Sequence, residues 1–102
     1  MSFYGYTRAT NIAAGGANTA IKATPGRLMG VLLSGLGVEV PTLTIHNNAS
    51  AASGAVLLTA KAVGNTPYYI DLSGNGAGVE ASLGIFVSST NWTNFTATVY
   101  WA

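Results

Sequence analysis

The chain reads as all-β, an antiparallel β-sandwich of jelly-roll type with seven to eight short strands. Three observations predict it. Apolar residues recur with period two and not 3.6, β-branched and aromatic residues fill the periodic segments, and Gly, Asn, Ser and Pro clusters separate them at short intervals. With 102 residues the chain is expected to form a single domain that buries its own core. Residues 1–25 make its N-terminal arm and edge strands, and residues 26–102 its central body.

The segment on which the rest is organised runs from Thr42 to Lys61. Leu43 and Ile45 alternate with Thr42, Thr44 and His46, a run of small turn-forming residues follows, and Val56, Leu58 and Ala60 alternate on the return. This is a β-hairpin with a long connection, and its apolar positions are expected to wall the core.

Taken from the start, Tyr4 to Thr10 alternates aromatic and polar residues and reads as an edge strand or arm. Asn11 to Asn18 is a small-residue link, and Thr19 to Ala23 a short strand. Pro25-Gly26 is a turn, because proline presets φ and glycine tolerates a positive one. The next segment, Arg27 to Ser34, is apolar on both faces, as a central strand covered on each side should be. Met29, Val31 and Leu33 share one face there, Leu28 and Leu32 the other, and Gly30 marks a bulge or a close backbone approach.

After a crossover at 35–41 and the hairpin, Gly64 to Pro67 forms a turn. Tyr68 to Leu72 is a strand with Tyr68, Ile70 and Leu72 inward and Tyr69 and Asp71 outward. A glycine-rich loop, 73–78, precedes strands at Val79–Leu83 and Ile85–Ser88. The last strand, Phe95 to Trp101, turns Phe95, Ala97, Val99 and Trp101 inward and Thr96, Thr98 and Tyr100 outward. The expected core is Leu28, Leu32, Leu43, Ile45, Val56, Leu58, Ile70, Val87 and Val99.

Charge is the most informative composition term. Asp, Glu, Lys and Arg make up 7% of the chain, against roughly 25% in an average soluble domain. A net charge of +1 provides no basic stripe for nucleic acid and little protection against association. Such a surface suits a subunit covered by neighbours, and a homo-oligomer, in first place a trimer, is expected. The N-terminus lacks the basic and apolar regions of an export signal, and the longest apolar run, near Leu28 to Leu33, is too short for a membrane-spanning helix. Cysteine is absent, which excludes disulfides and thiolate metal sites.

Motifs with chemistry are few. His46 is the single histidine, so a multi-histidine metal site is excluded, and it reads as an ordinary histidine on the polar face of its strand. Glu39, Asp71 and Glu80, the three acidic residues, are scattered and read as solvated and not as a glycosidase pair. Gly74, Gly76 and Gly78 lack the lysine and following helix of a phosphate-binding loop. Asn48, Asn91 and Asn94 begin sequons, expected to stay unmodified without export. No catalytic, cofactor-binding or metal-binding residue, no cofactor and no enzymatic activity is expected. Trp92 and Tyr100 admit a second reading, in which aromatic faces stack on sugars.

Six segments occur in one order: Gly26-Arg27-Leu28-Met29-Gly30-Val31, Leu43-Thr44-Ile45-His46-Asn47-Asn48, Ala52-Ser53-Gly54-Ala55-Val56-Leu57, Tyr68-Tyr69-Ile70-Asp71-Leu72, Gly84-Ile85-Phe86-Val87 and Ala97-Thr98-Val99-Tyr100. In that succession the chain resembles small all-β virion structural proteins of tailed bacteriophages, of the capsid decoration (cement) or head-fibre type. The resemblance implies a protein made in the host cytoplasm and carried on the capsid exterior, where it stabilises the head. Its partners would be the major capsid protein and copies of itself, with no nucleic acid, membrane or small-molecule substrate. Phe3, Tyr4 and Tyr6 lie outside the matching segments, and as aromatics on a terminal arm they are the candidates for contact with the capsid or a neighbour. The rival reading is a carbohydrate-binding sandwich module of a phage tail or fibre.

Overall fold

The computed structural model describes residues 7–13, 18–35, 41–61, 67–73, 78–90 and 95–102. Among these are nine strands and no helix: β1 (Arg8–Ile12), β2 (Thr19–Lys22), β3 (Gly26–Gly35), β4 (Thr42–His46), β5 (Val56–Lys61), β6 (Tyr68–Asp71), β7 (Val79–Ala81), β8 (Ile85–Thr90) and β9 (Phe95–Trp101). They form two antiparallel sheets. The first has the order β1-β9-β3-β6 with β7 also on β3, and the second the order β2-β8-β4-β5.

Both sheets contribute to one apolar cluster. Ile12, Leu28, Val31, Leu33, Phe95, Ala97 and Val99 come from the first sheet, and Leu43, Ile45, Ala60, Ile85 and Val87 from the second. Each set shares a face because side chains alternate along a strand. Of the expected core, Leu28, Leu43, Ile45, Val87 and Val99 are fully buried, and Leu58 and Ile70 are half-buried against the cluster. Ile12 extends β1 into the segment expected to be a link.

Four expectations are corrected: two of inward position, which trace to bulges, and two of burial. In β3 the register against β9 shifts between Leu28 and Gly30, where Leu28 opposes Trp101 and Gly30 opposes Tyr100. The extra residue, Met29, reverses the parity, since a bulge sets two residues against one. Leu28 therefore shares the inner face with Val31 and Leu33, while Leu32 lies outside opposite Thr98. In the same way β5 shifts between Leu58, opposite Ile45, and Val56, opposite His46. Leu57 turns to the core and Val56 is left 53% exposed.

Tyr68 keeps its inward parity opposite Leu33, but it stands at the end of an edge strand and is half exposed. His46 departs most from expectation. It is on the outer face, as its parity requires, yet it is buried.

Outside the β4–β5 hairpin, strands pair with partners remote in the chain. The connector after β4 is built by asparagines: Asn48 Oδ1 accepts the N–H groups of Ser50 (2.9 Å) and Ala51 (3.0 Å), an Asx turn. Asn47 fastens this connector to the turn before β8, donating Nδ2–H to Ser82 Oγ (3.0 Å) and accepting the Leu83 N–H at 2.8 Å. Gly84 completes that joint. Its φ is +149° and a Cβ there would come within 2.5 Å of the Lys22 carbonyl oxygen, so another residue would be both strained and obstructed.

Candidate functional site

The outer face of the first sheet is a small aromatic and hydroxyl surface. Register places Tyr100, Gly30 and Asp71 side by side in one row across β9, β3 and β6, and Asn11, Thr98, Leu32 and Tyr69 in the next. The Tyr69 side chain leans diagonally across β3: a Cβ on Gly30 would meet its hydroxyl at 2.7 Å and the ring carbon bearing it at 3.1 Å. Of the two features expected of Gly30, the bulge lies beside it, and the close approach over it is made by a side chain, with the Ile70 backbone oxygen 2.9 Å from the same Cβ position. Tyr100 packs against Tyr69 with ring centroids 6.0 Å apart and planes at 78°, the edge-to-face geometry favoured by the ring quadrupoles. Tyr69 remains 51% exposed, so much of its ring meets solvent.

Beside the rings, Asp71 is exposed and organised by its own turn. Its Oδ1 accepts the Ser73 N–H at 2.9 Å and the Ser73 hydroxyl at 2.5 Å. These hydrogen bonds, the hydroxyl first, stabilise the carboxylate and lower its pKa below the ordinary 3.8. Along the same face Ser34 and Thr96 bond through their hydroxyls (3.2 Å). Farther along, Arg27 of β3 opposes Glu80 of β7.

The outer face of the second sheet is different. Ala20, Phe86, His46 and Val56 form one row across it, and Phe86 and His46 are only 8% and 9% exposed. His46 Nε2 is hydrogen-bonded to Ser88 Oγ at 3.0 Å, and Nδ1 is buried with no partner among the described residues. A serine beside a histidine is the beginning of a nucleophilic pair, but no described carboxylate reaches Nδ1 to orient the ring as a triad requires.

A third region closes one end of the molecule. The Trp101 indole N–H donates to Thr10 Oγ1 (2.9 Å), with the Arg8 guanidinium 5.8 Å and the Lys22 ammonium 5.3 Å from its ring centroid. Two cations, one from each sheet, thereby rest on one indole, and cation–π attraction holds them there. Next to it, Pro25, Gly26, Arg27, Glu80, Ala81 and Ala102 line an open cleft of about 340 Å³, bordered by the paired backbones of Arg27 and Ala102 (2.9 Å in each direction).

Phe3, Tyr4, Tyr6, Glu39, Trp92, Asn91, Asn94, Gly74 and Gly76 lie outside the described residues. Asn48, the remaining sequon, is engaged in its own turn. Among the described residues no three His, Cys, Asp or Glu come together as metal ligands, and no helix is long and apolar enough to cross a membrane. Sequence reasoning placed Tyr69 and Tyr100 outward but not beside each other. The available signal was Gly30, a glycine amid apolar strand residues. Comparison with protein families, with characterised proteins and with solved structures returns no match.

Proposed function

We propose that this chain is a structural component of a tailed-bacteriophage virion, a decoration or cement protein that binds the outside of the head as a homo-oligomer, a trimer in the simplest arrangement. Its scaffold in this reading is a jelly-roll sandwich. The observation that carries the proposal is the strand order. Counting β7 as an addition beside β3, the first sheet runs first, last, third and sixth strand, and the second runs second, penultimate, fourth and fifth. That order supports the jelly-roll reading, because two nested Greek keys would interleave strands in this way, and such an architecture is found in viral capsid and lectin domains. Fold alone does not assign function, so the surface must also fit. Seven charged residues in 102 leave faces of hydroxyls and methyls, and these can approach a protein lattice closely without desolvating many charges.

The major capsid protein and further copies of the chain are its partners, and no cofactor or catalytic step is involved. Attachment through an oligomer repeats a modest contact and raises effective affinity. Phe3, Tyr4 and Tyr6 serve as the anchors to the capsid or a neighbour.

Mass spectrometry of purified particles tests the assignment: the protein should be present at a fixed ratio to the major capsid protein, and particles without it would end the proposal. For the anchors, a Phe3→Ala/Tyr4→Ala/Tyr6→Ala variant is preferable to deleting the whole arm, because Arg8 packs on Trp101. That variant should fold normally and bind stripped particles more weakly. Undiminished binding would remove the anchoring role alone.

A further inference from the structure

We infer that the outer face of the first sheet is a binding platform for an uncharged glycan, with the Tyr69 ring as its stacking surface. This site is independent of attachment to a capsid. Four properties of the face lead to it. Tyr69 lies across the sheet, over Gly30, and is 51% exposed; a side chain meant only to shield the strand beneath would not leave half of itself in water. Tyr100, at 78° to it and 6.0 Å away, holds the ring in place and makes a corner with it, so little conformational entropy remains to be lost on binding.

The apolar area is small and its border is largely polar. Beyond the two rings and half-buried Leu32, the neighbours in register are Thr98, Asn11 and Asp71, with the small residues Ala9 and Gly30 beside Tyr100. A protein partner is anchored best by a broad desolvated centre inside a polar rim, and two rings beside one half-buried leucine do not offer one. A pyranose does match: its C–H face carries partial positive charge that suits the negative face of an aromatic ring, and its equatorial hydroxyls point sideways, toward the amide, hydroxyl and carboxylate groups at the border.

Asp71 is built for that second task. Its Oδ1 is occupied by Ser73, which fixes the carboxylate plane, while Oδ2 makes no hydrogen bond among the described residues and can accept from sugar hydroxyls.

Charge decides which sugars fit. The charge beside the rings is the Asp71 carboxylate, whereas Arg27 and Glu80 oppose each other farther along the face. A uronic or sialic acid would face that carboxylate, whereas a neutral hexose or N-acetylhexosamine would not.

The test is titration of the full chain, followed by amide-resolved NMR, with cellohexaose, maltohexaose, mannohexaose and chitohexaose, and with a galacturonate hexamer as the anionic comparison. At least one neutral oligomer should bind saturably, with shifts centred on Tyr69, Tyr100 and Thr98. Tyr69→Ala should weaken it about tenfold or more, as loss of a buried aromatic contact implies, while Tyr69→Trp should retain binding. Thermal melts of both variants establish that they fold.

Failure of all four neutral oligomers to bind, or binding unaffected by Tyr69→Ala, would overturn the inference. So would preference for the galacturonate oligomer. If the wild-type chain binds no sugar and Tyr69→Ala instead lowers its sedimentation coefficient, the face is a contact between copies and the glycan assignment falls.

Discussion

The two outer faces follow from the same alternation and yet end in opposite states. On the first sheet Tyr69 is half exposed and leans over a glycine; on the second, Phe86 and His46 are nearly covered in a row between Ala20 and Val56. Strand register puts all of these residues on an outside face, Val56 by way of the β5 bulge, but being outside a sheet is not the same as being wet. The Phe86–His46 row lies at the end of its sheet where the 47–55 connector is fastened to residues 82–83. At Gly30 the missing side chain lets a neighbouring ring lie down, leaving its other side to solvent. One face therefore contributes to stability and the other is free to contribute to binding.

The sharpest way to break this comparison is to truncate one aromatic on each face. Phe86→Ala should cost roughly 3–5 kcal/mol, the range for emptying a buried aromatic site. Tyr69→Ala should cost about 1 kcal/mol, its edge-to-face contact with Tyr100 being the main loss. Urea denaturation gives both values, and equal costs would show that the faces do not differ.

A second pair tests the bulge in β5. Ile45→Ala should cost about 2–5 kcal/mol, while Val56→Ala should stay within about 0.5 kcal/mol, as for other exposed positions. A large effect at Val56 would restore the simple alternation and remove the bulge.

Two smaller changes sharpen the contrast further. Ser88→Ala removes the single hydrogen-bond partner found for buried His46 and should cost about 1–3 kcal/mol, although both residues sit on an outside face. Gly30→Ala adds a Cβ 2.9 Å from the Ile70 carbonyl oxygen and 2.7 Å from the Tyr69 hydroxyl. Overpacking of this kind costs roughly 1–3 kcal/mol, and displacement of Tyr69 should alter the near-ultraviolet circular dichroism. An unchanged tyrosine signal would mean that the ring does not need its glycine seat.

The smallest effect is electrostatic. The folded-state pKa of Asp71 lies below its ordinary 3.8. Its contribution is therefore present above pH 3.8 and is lost as pH falls through the lowered folded value. Thermal melts from pH 2 to 6 should show wild type losing slightly more stability on the acid side than Asp71→Asn, with Ser73→Ala resembling the variant. Coincident profiles would mean that the Asp71–Ser73 turn contributes nothing measurable, as exposure allows.

By itself the sequence determined the all-β class, the position of most strands, the β4–β5 hairpin and the apolar positions Leu28, Leu43, Ile45, Val87 and Val99. These follow from local properties, namely side-chain alternation, β-branched content and turn chemistry. The sequence also singled out Gly30, a glycine where an apolar strand residue was due. Tertiary structure decided the rest. The insertion of Met29 in β3 and of Leu57 in β5 reverses parity beyond each point, which sends Leu32 and Val56 outside. A bulge arises from the register between two strands, and neither strand announces it alone. Tyr69 and Tyr100 meet only because β6 and β9 flank β3, and Trp101 finds Thr10 across 91 positions of chain. Pairings at such separation depend on how every intervening segment packs, so no local pattern specifies them, and the surface on which they converge is visible only in the folded molecule.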